Sequence, residues 1–83
     1  MNNLKTPTHD ISIVVYCKDH YTLRGKVNIQ GYDRFSEFYE GINNLHMYNV
    51  RVRFCPINQN TKVTLTPEYI CVPKENIIFC FPK

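Results

Sequence analysis

Apolar and polar positions alternate along most of this chain. In Asp10–Lys18, Ile11, Ile13, Val15 and Cys17 fall on one side, with Ser12, Val14, Tyr16 and Lys18 on the other. That period of two predicts a strand whose second face is only half polar. Tyr21–Gln30 alternates more cleanly, with Tyr21, Leu23, Gly25, Val27 and Ile29 inward and Thr22, Arg24, Lys26, Asn28 and Gln30 outward. Lys18–Tyr21, with Asp19 as turn former, joins the two strands as a hairpin. Gly25 in mid-strand marks a sharp bend or a close backbone approach, as at a barrel corner. A third strand is predicted over Met47–Cys55, where Tyr48, Val50, Val52 and Phe54 alternate with Asn49, Arg51 and Arg53. Pro56–Lys62 is a polar loop. A fourth strand begins at Thr61–Leu65, is broken or bent at Thr66-Pro67, and continues through Glu68–Val72. Pro73–Asn76 is a tight turn. The fifth strand, Asn76–Phe81, has no polar face, and a strand apolar on both sides is expected to be covered on both sides. In a chain this small, a neighbouring subunit is a natural cover.

One stretch breaks the β pattern. In GYDRFSEFYEGI (31–42), Phe35, Phe38, Tyr39 and Ile42 recur at i, i+3, i+4 and i+7, which predicts a short helix with an aromatic face. Asp33 is its expected N-cap. Gly41 is its expected left-handed stop. About two turns of helix do not stand alone in water, so the face must lie on a sheet. It fits a plug closing one end of a barrel; the other reading is an aromatic patch for a ligand or partner.

Composition sharpens this picture only in places. At 83 residues the chain is one domain. A domain of this size buries only about 60% of its unfolded surface, so association is a natural added source of stability. Residues 1–9 read as a flexible lead-in, and 10–83 as the β domain. The net charge of +3 permits an anionic partner without requiring one. No run of 18 or more apolar residues predicts a membrane span. The first ten residues carry no apolar signal segment, which makes the cytoplasm the expected location. Cys17, Cys55, Cys71 and Cys80 include no pair at zinc-knuckle or redox spacing, so buried, reduced structural thiols are expected ahead of metal binding or redox use. His9, His20 and His46 are isolated, and no metal or cofactor is expected.

The order of elements resembles the Sm-like small β-barrel, a variant of the SH3-like barrel, over about residues 11–81. ISIVVYCKDHYTLRGKVNI is similar to that family's first two strands, with Gly25 at the bending position. YICVPKENIIFC is similar to its closing strand pair around a tight turn. The whole pattern further resembles small bacterial proteins of no established activity, in which an Arg-x-Ser-acidic stretch follows the hairpin and a Val-x-Lys segment precedes the last strand. Arg34, Ser36, Glu37, Val72 and Lys74 hold those places here. The resemblance implies an all-β, five-stranded barrel with one short helix inserted after the second strand. It also implies assembly through edge strands. The chain departs from the RNA-binding Sm pattern. Its helix replaces the first recognition loop, and the closing turn Pro73–Asn76 has no Arg-Gly pair. Sm-type uridine pockets are therefore not assigned.

No catalytic set is readable. Ser36 lacks a Gly-x-Ser-x-Gly setting, and no Gly-rich phosphate loop exists. Asp33, Glu37 and Glu40 read more simply as a cap and a solvated helix face. A cavity joining Asp33, Glu37 and His46 would revive an enzymatic reading. The expected role is a non-catalytic, self-associating binding or scaffold module, with Ile77, Ile78, Phe79 and Phe81 as the interface between copies. The alternative is a binder of single-stranded RNA or DNA. It would use Arg24 and Lys26 of the second strand with Arg51 and Arg53 of the third, and Tyr48 or Tyr16 at the edge. Such a face can equally be an ordinary solvated one. No small-molecule substrate is indicated.

Overall fold

The computed structural model describes residues 10–83. The expected flexible lead-in, residues 1–9, lies outside them. One antiparallel sheet of six strands dominates, in the order β4-β3-β2-β1-β6, with β5 also pairing β3. The strands are β1 (Asp10–Cys17), β2 (Tyr21–Asn28), β3 (Asn44–Phe54), β4 (Val63–Leu65), β5 (Tyr69–Pro73) and β6 (Ile77–Pro82). One helix, α1 (Phe35–Glu40), lies between β2 and β3. The mainly-β reading with a helix after the second strand holds. The strand count does not: Pro67 separates β4 from β5, and each takes its own half of β3. β4 pairs with Val52–Phe54 and β5 with Asn44–Tyr48. Nor does the sheet close, because β5 and β6 do not pair. They are joined by a 3₁₀ turn, Lys74–Asn76.

Local chemistry explains most of these boundaries. Asp19 and His20 both take left-handed φ, 65° and 66°, the sign that matches a hairpin turn to the twist of its strands. Gln30 and Gly31 repeat the device at φ 56° and 86°, where Tyr32 N–H donates to the Ile29 carbonyl. β3 bends at Asn49, the residue with φ 53°. Asn49 and Val50 there donate to the carbonyls of Glu68 and Pro67 rather than to β2. The bend shifts the alternation by one. Met47 and Val50 point inward, while Tyr48 and Asn49 both lie exposed between them. Tyr48 therefore does not share a face with Val50, as unbroken alternation predicted. Gly25 sits opposite this bend. A β-carbon there would lie 3.1 Å from the Tyr48 carbonyl oxygen and 3.1 Å from Val50 Cγ2. The close backbone approach read from the sequence is present.

The core is the inner side of the curled sheet. Ile13 and Val15 of β1, Leu23 and Val27 of β2, Leu45 and Met47 of β3 and Val72 of β5 are all buried. α1 covers this core. Phe38 is buried, and Phe35 and Ile42 pack against the cluster from its partly buried rim. Tyr39, expected on the same face, turns instead towards the β5–β6 turn. The expected caps also differ. Arg34 is the N-cap and makes no side-chain cap bond, so Asp33 does not cap, and Gly41 has φ −92° rather than a left-handed value. Phe38 is the buried residue of the helix, and burial of an aromatic side chain holds the helix in place without a side-chain cap. Cys17 is buried and Cys80 partly so, but Cys55 and Cys71 are exposed, against the expectation of buried thiols throughout.

Lys74 ties α1 to the β5–β6 turn. Its Nζ donates to the Tyr39 carbonyl at 2.8 Å and stands 4.5 Å from the centre of the Tyr39 ring. A charged donor to a partly buried carbonyl, with a cation over an aromatic face, is worth about 1–2 kcal/mol. Lys74→Ala is expected to lower unfolding free energy in urea by about that amount. Lys74→Met should recover only the packing share. A Lys74→Ala midpoint equal to that of the native chain would show that the contact is idle.

Candidate interaction surfaces

Strand register arranges the outward face of the sheet in rows. One row runs Phe81, Val14, Arg24, Arg51 across β6, β1, β2 and β3. The next runs Phe79, Tyr16, Thr22, Arg53 and on to Thr64 of β4. A third runs Ser12, Lys26, Tyr48, Tyr69 across β1, β2, β3 and β5. These rows sort the face into three zones: apolar over β6 and β1, cationic over β2 and β3, aromatic where β3 meets β5.

The cationic zone contains the four basic residues expected to form a patch. Arg24, Lys26, Arg51 and Arg53 are all exposed, and Arg24 stands directly opposite Arg51. None of them has a carboxylate as cross-strand partner: their partners are Arg, Tyr, Thr, Ser and Val. A shallow hollow of about 290 Å³ opens between Arg24, Lys26, Asn49, Arg51 and Lys83. Lys83 arrives there because its backbone N–H donates to the Ser12 carbonyl, 2.8 Å away.

The aromatic zone contains one expected residue, Tyr48, and two that sequence reasoning missed. Tyr48 and Tyr69 have ring centres 5.4 Å apart, and Tyr69 lies against His46 at 5.8 Å. The Tyr69 hydroxyl and His46 Nδ1 share a hydrogen bond. Tyr48 is 46% exposed and Tyr69 48%. The signal for Tyr69 was available in its alternation with Ile70; what was missing was the pairing of β5 with the first half of β3. Tyr16, the other aromatic considered for this edge, lies in the apolar zone, stacked on Phe79 at 4.7 Å.

The apolar zone leads to the sheet edge. The four residues expected to meet a neighbouring copy all lie on β6. Ile77 packs at the rim of the core, while Ile78, Phe79 and Phe81 are 63%, 53% and 43% exposed. The expectation that both faces of this strand are covered is thus met, within one chain, on its inner side alone. A bulge explains why Ile78 protrudes. Cys17 pairs with Ile77 and Tyr16 with Phe79, so Ile78 has no partner across β1. Beside it, an open groove of about 710 Å³ runs between β6 and α1, with Phe35, Tyr39, Ile78, Cys80 and Pro82 along its walls. Burial pushes the Cys80 thiol above its usual range, against the opposing pull of the Tyr39 hydroxyl and Lys74. The Cys17 thiol is raised too, by burial first and then by its neighbour Cys80. Both thiols are therefore protonated and poorly nucleophilic at neutral pH.

Among the described residues, no three His, Cys, Asp or Glu side chains come together in a way that could hold a metal ion. The cavity at His46 is lined also by Asn28, Gln30, Phe38, Ile42, Asn44 and Tyr48, and includes neither Asp33 nor Glu37. No described helix is long and apolar enough to cross a membrane. No protein-family model matches the chain, and no curated protein and no solved structure matches it significantly.

Proposed function

We propose that this protein is a non-catalytic, self-associating binding module, built on an Sm-like barrel plan whose open seam is filled by a second copy. The plan is supported by β6 returning beside β1 and by the 3₁₀ turn that separates β5 from β6. The observation that carries the reading is β6 itself: an edge strand, IIFCFP, with no charge along it and three exposed apolar side chains. Charges are the strongest guard of an edge strand that must stay single, and this one carries none; its bulge at Ile78 and its terminal Pro82 leave Phe79–Phe81 unguarded. The occupant is the free edge of β5 in a second copy. β6 is the outer strand on one side of the sheet and β5, with the three-residue β4, on the other, so a β6–β5 contact is head-to-tail and closes into a ring if the rotation allows.

Magnitudes decide how much of the surface must take part. Covering Ile78, Phe79 and Phe81 from half-exposure gains roughly 1 kcal/mol each. Bringing two chains together costs at least about 4 kcal/mol. Those side chains alone do not suffice, so the backbone ladder and the apolar groove against α1 have to be used as well. The test is light scattering or sedimentation over a wide concentration range. The native chain is expected to form a defined oligomer. Ile78→Lys places a charge on the unpaired bulge residue, leaves the core untouched, and is expected to return the chain to monomer with unchanged circular dichroism. A native chain that stays monomeric at its highest soluble concentration would overturn the proposal.

A further inference from the structure

We infer that the outward face of β2 and β3 binds single-stranded nucleic acid, its cations on the phosphates and the Tyr48–Tyr69 pair under the bases. The inference does not rest on self-association: its cations lie on β2 and β3, and only Tyr69 belongs to β5, the strand whose edge that contact would occupy.

The first observation is that the cation pattern works against the fold. Like charges directly opposite each other in a sheet are destabilising, yet Arg24 faces Arg51 across β2 and β3. Lys26 and Arg53 extend the pattern by one residue pair to either side, and none of the four faces an acid across the strands. Along a strand, alternate side chains on one face repeat at about 7 Å. The four cations therefore form a short track spanning three same-face residue pairs, about 14 Å from end to end, with Lys83 at the hollow beside it. A polyanion laid along this track removes the repulsion that the free protein carries.

The second observation selects the kind of polyanion. Lys26 pairs across to Tyr48, and Tyr48 to Tyr69, so the cation track runs directly onto exposed rings. Stacking on such rings requires bases with a free face, which a duplex keeps inside. A major groove admits a helix or a two-stranded ribbon, and this face belongs to a six-stranded sheet too broad to enter one. Sequence-tolerant binding of an unpaired strand follows: phosphates held by point charges and guanidinium forks, bases held by stacking, no edge readout. The Asn49 bend makes this juxtaposition, since unbroken alternation would have turned Tyr48 into the core.

The experiment is fluorescence anisotropy on the full chain, with labelled oligouridine, oligothymidine and a mixed-sequence duplex of equal length. Both single strands are expected to bind and the duplex to bind at least fivefold more weakly. Binding should fall with salt at a slope near −0.7 per phosphate contacted, so about −3 in log–log form for four contacts. Arg51→Gln should weaken binding and make the slope shallower by about 0.7. Tyr48→Ala should weaken it about five- to hundredfold with the slope unchanged. Arg24→Glu is the decisive variant, because it turns a repulsive pair into an attractive one. Binding should be lost while Tm rises by a few degrees, an outcome that misfolding cannot imitate. Three results would overturn the inference: no binding at low salt, equal affinity for the duplex, or equal affinity for phosphatidylserine vesicles with Tyr48→Ala silent. The last would make the face a generic anion surface.

Discussion

Gly25→Val is expected to lower unfolding free energy by about 3 kcal/mol, a large part of the roughly 4–12 kcal/mol that a domain of this length has. The reason is contact with backbone. A β-carbon at position 25 meets the Tyr48 carbonyl oxygen and Val50 Cγ2, each at 3.1 Å, and Met47 Cε at 3.2 Å. Met47 can move its terminal methyl, but the Tyr48 carbonyl belongs to the bend of β3 and cannot retreat alone. Overfilling of this kind costs about 1–3 kcal/mol for a small addition, and valine adds two branches beyond the first carbon. Gly25→Ala separates the terms. Alanine restricts the unfolded chain and so gains about 0.4–1 kcal/mol, against the clash of a single carbon. Its net loss should be near 1 kcal/mol. Urea unfolding of the two variants is the measurement. Gly25→Ala as stable as native, together with a mild Gly25→Val, would mean that β2 and β3 move apart at little cost. The effect on function has the same origin: widening that gap moves Arg24 from Arg51 and Lys26 from Tyr48, so single-strand binding should weaken as well.

Much of this arrangement was legible in the residues. The alternation of β2, the mid-strand glycine and the helical spacing of Phe35, Phe38 and Ile42 each follow from side-chain size and period. So do the exposed cations, because outward positions on a clean strand are fixed once its inward ones are known. What could not be read comes from events that local pattern does not encode. The bend at Asn49 is a single left-handed residue, and nothing in MYNVRV requires it; only the pull of Glu68 and Pro67 carbonyls from another strand makes it favourable. It shifted the alternation and moved Tyr48 outward. The split of the fourth strand had a visible cause in Pro67, but not its consequence, that the pieces pair with different halves of β3. That β5 and β6 do not pair is an outcome of long-range strand order, which no single strand specifies. Asp33 was a sound cap by type. The chain approaches the helix one residue later than capping would need, because Phe35 and Phe38 set its phase against the core. The two-sided apolar character of β6 was read correctly as composition, yet composition cannot say whether the second side is covered by the chain or by another copy.

Phe38→Ala is the sharpest test of how the helix connects fold and assembly, with an expected loss of about 3–5 kcal/mol. Phe38 is 6% exposed, the one buried residue of α1, and Tyr32 meets its ring edge-on at 6.0 Å. A six-residue helix has almost no stability of its own, so its position depends on this side chain. Removing the ring should do two things in order. Unfolding by urea should shift to lower concentration, and amides of residues 35–40 should exchange faster than those of β2 even where the domain remains folded. The second effect falls on the groove, because Phe35 and Tyr39 of α1 form its wall opposite Ile78 and Cys80. Light scattering on Phe38→Ala, at a temperature where its circular dichroism is still native, is therefore expected to show smaller species than the native chain. Phe38→Leu keeps most of the buried volume and should lose only about 1 kcal/mol and no assembly. Single-strand binding should survive Phe38→Leu and fall only slightly in Phe38→Ala, since α1 reaches the proposed face only through the cavity that Phe38 shares with Tyr48 and His46. If Phe38→Ala unfolds no more easily than native, the helix merely covers the sheet. If it unfolds readily but assembles normally while still folded, the groove plays no part in the contact between copies, and the β6 edge alone must account for it.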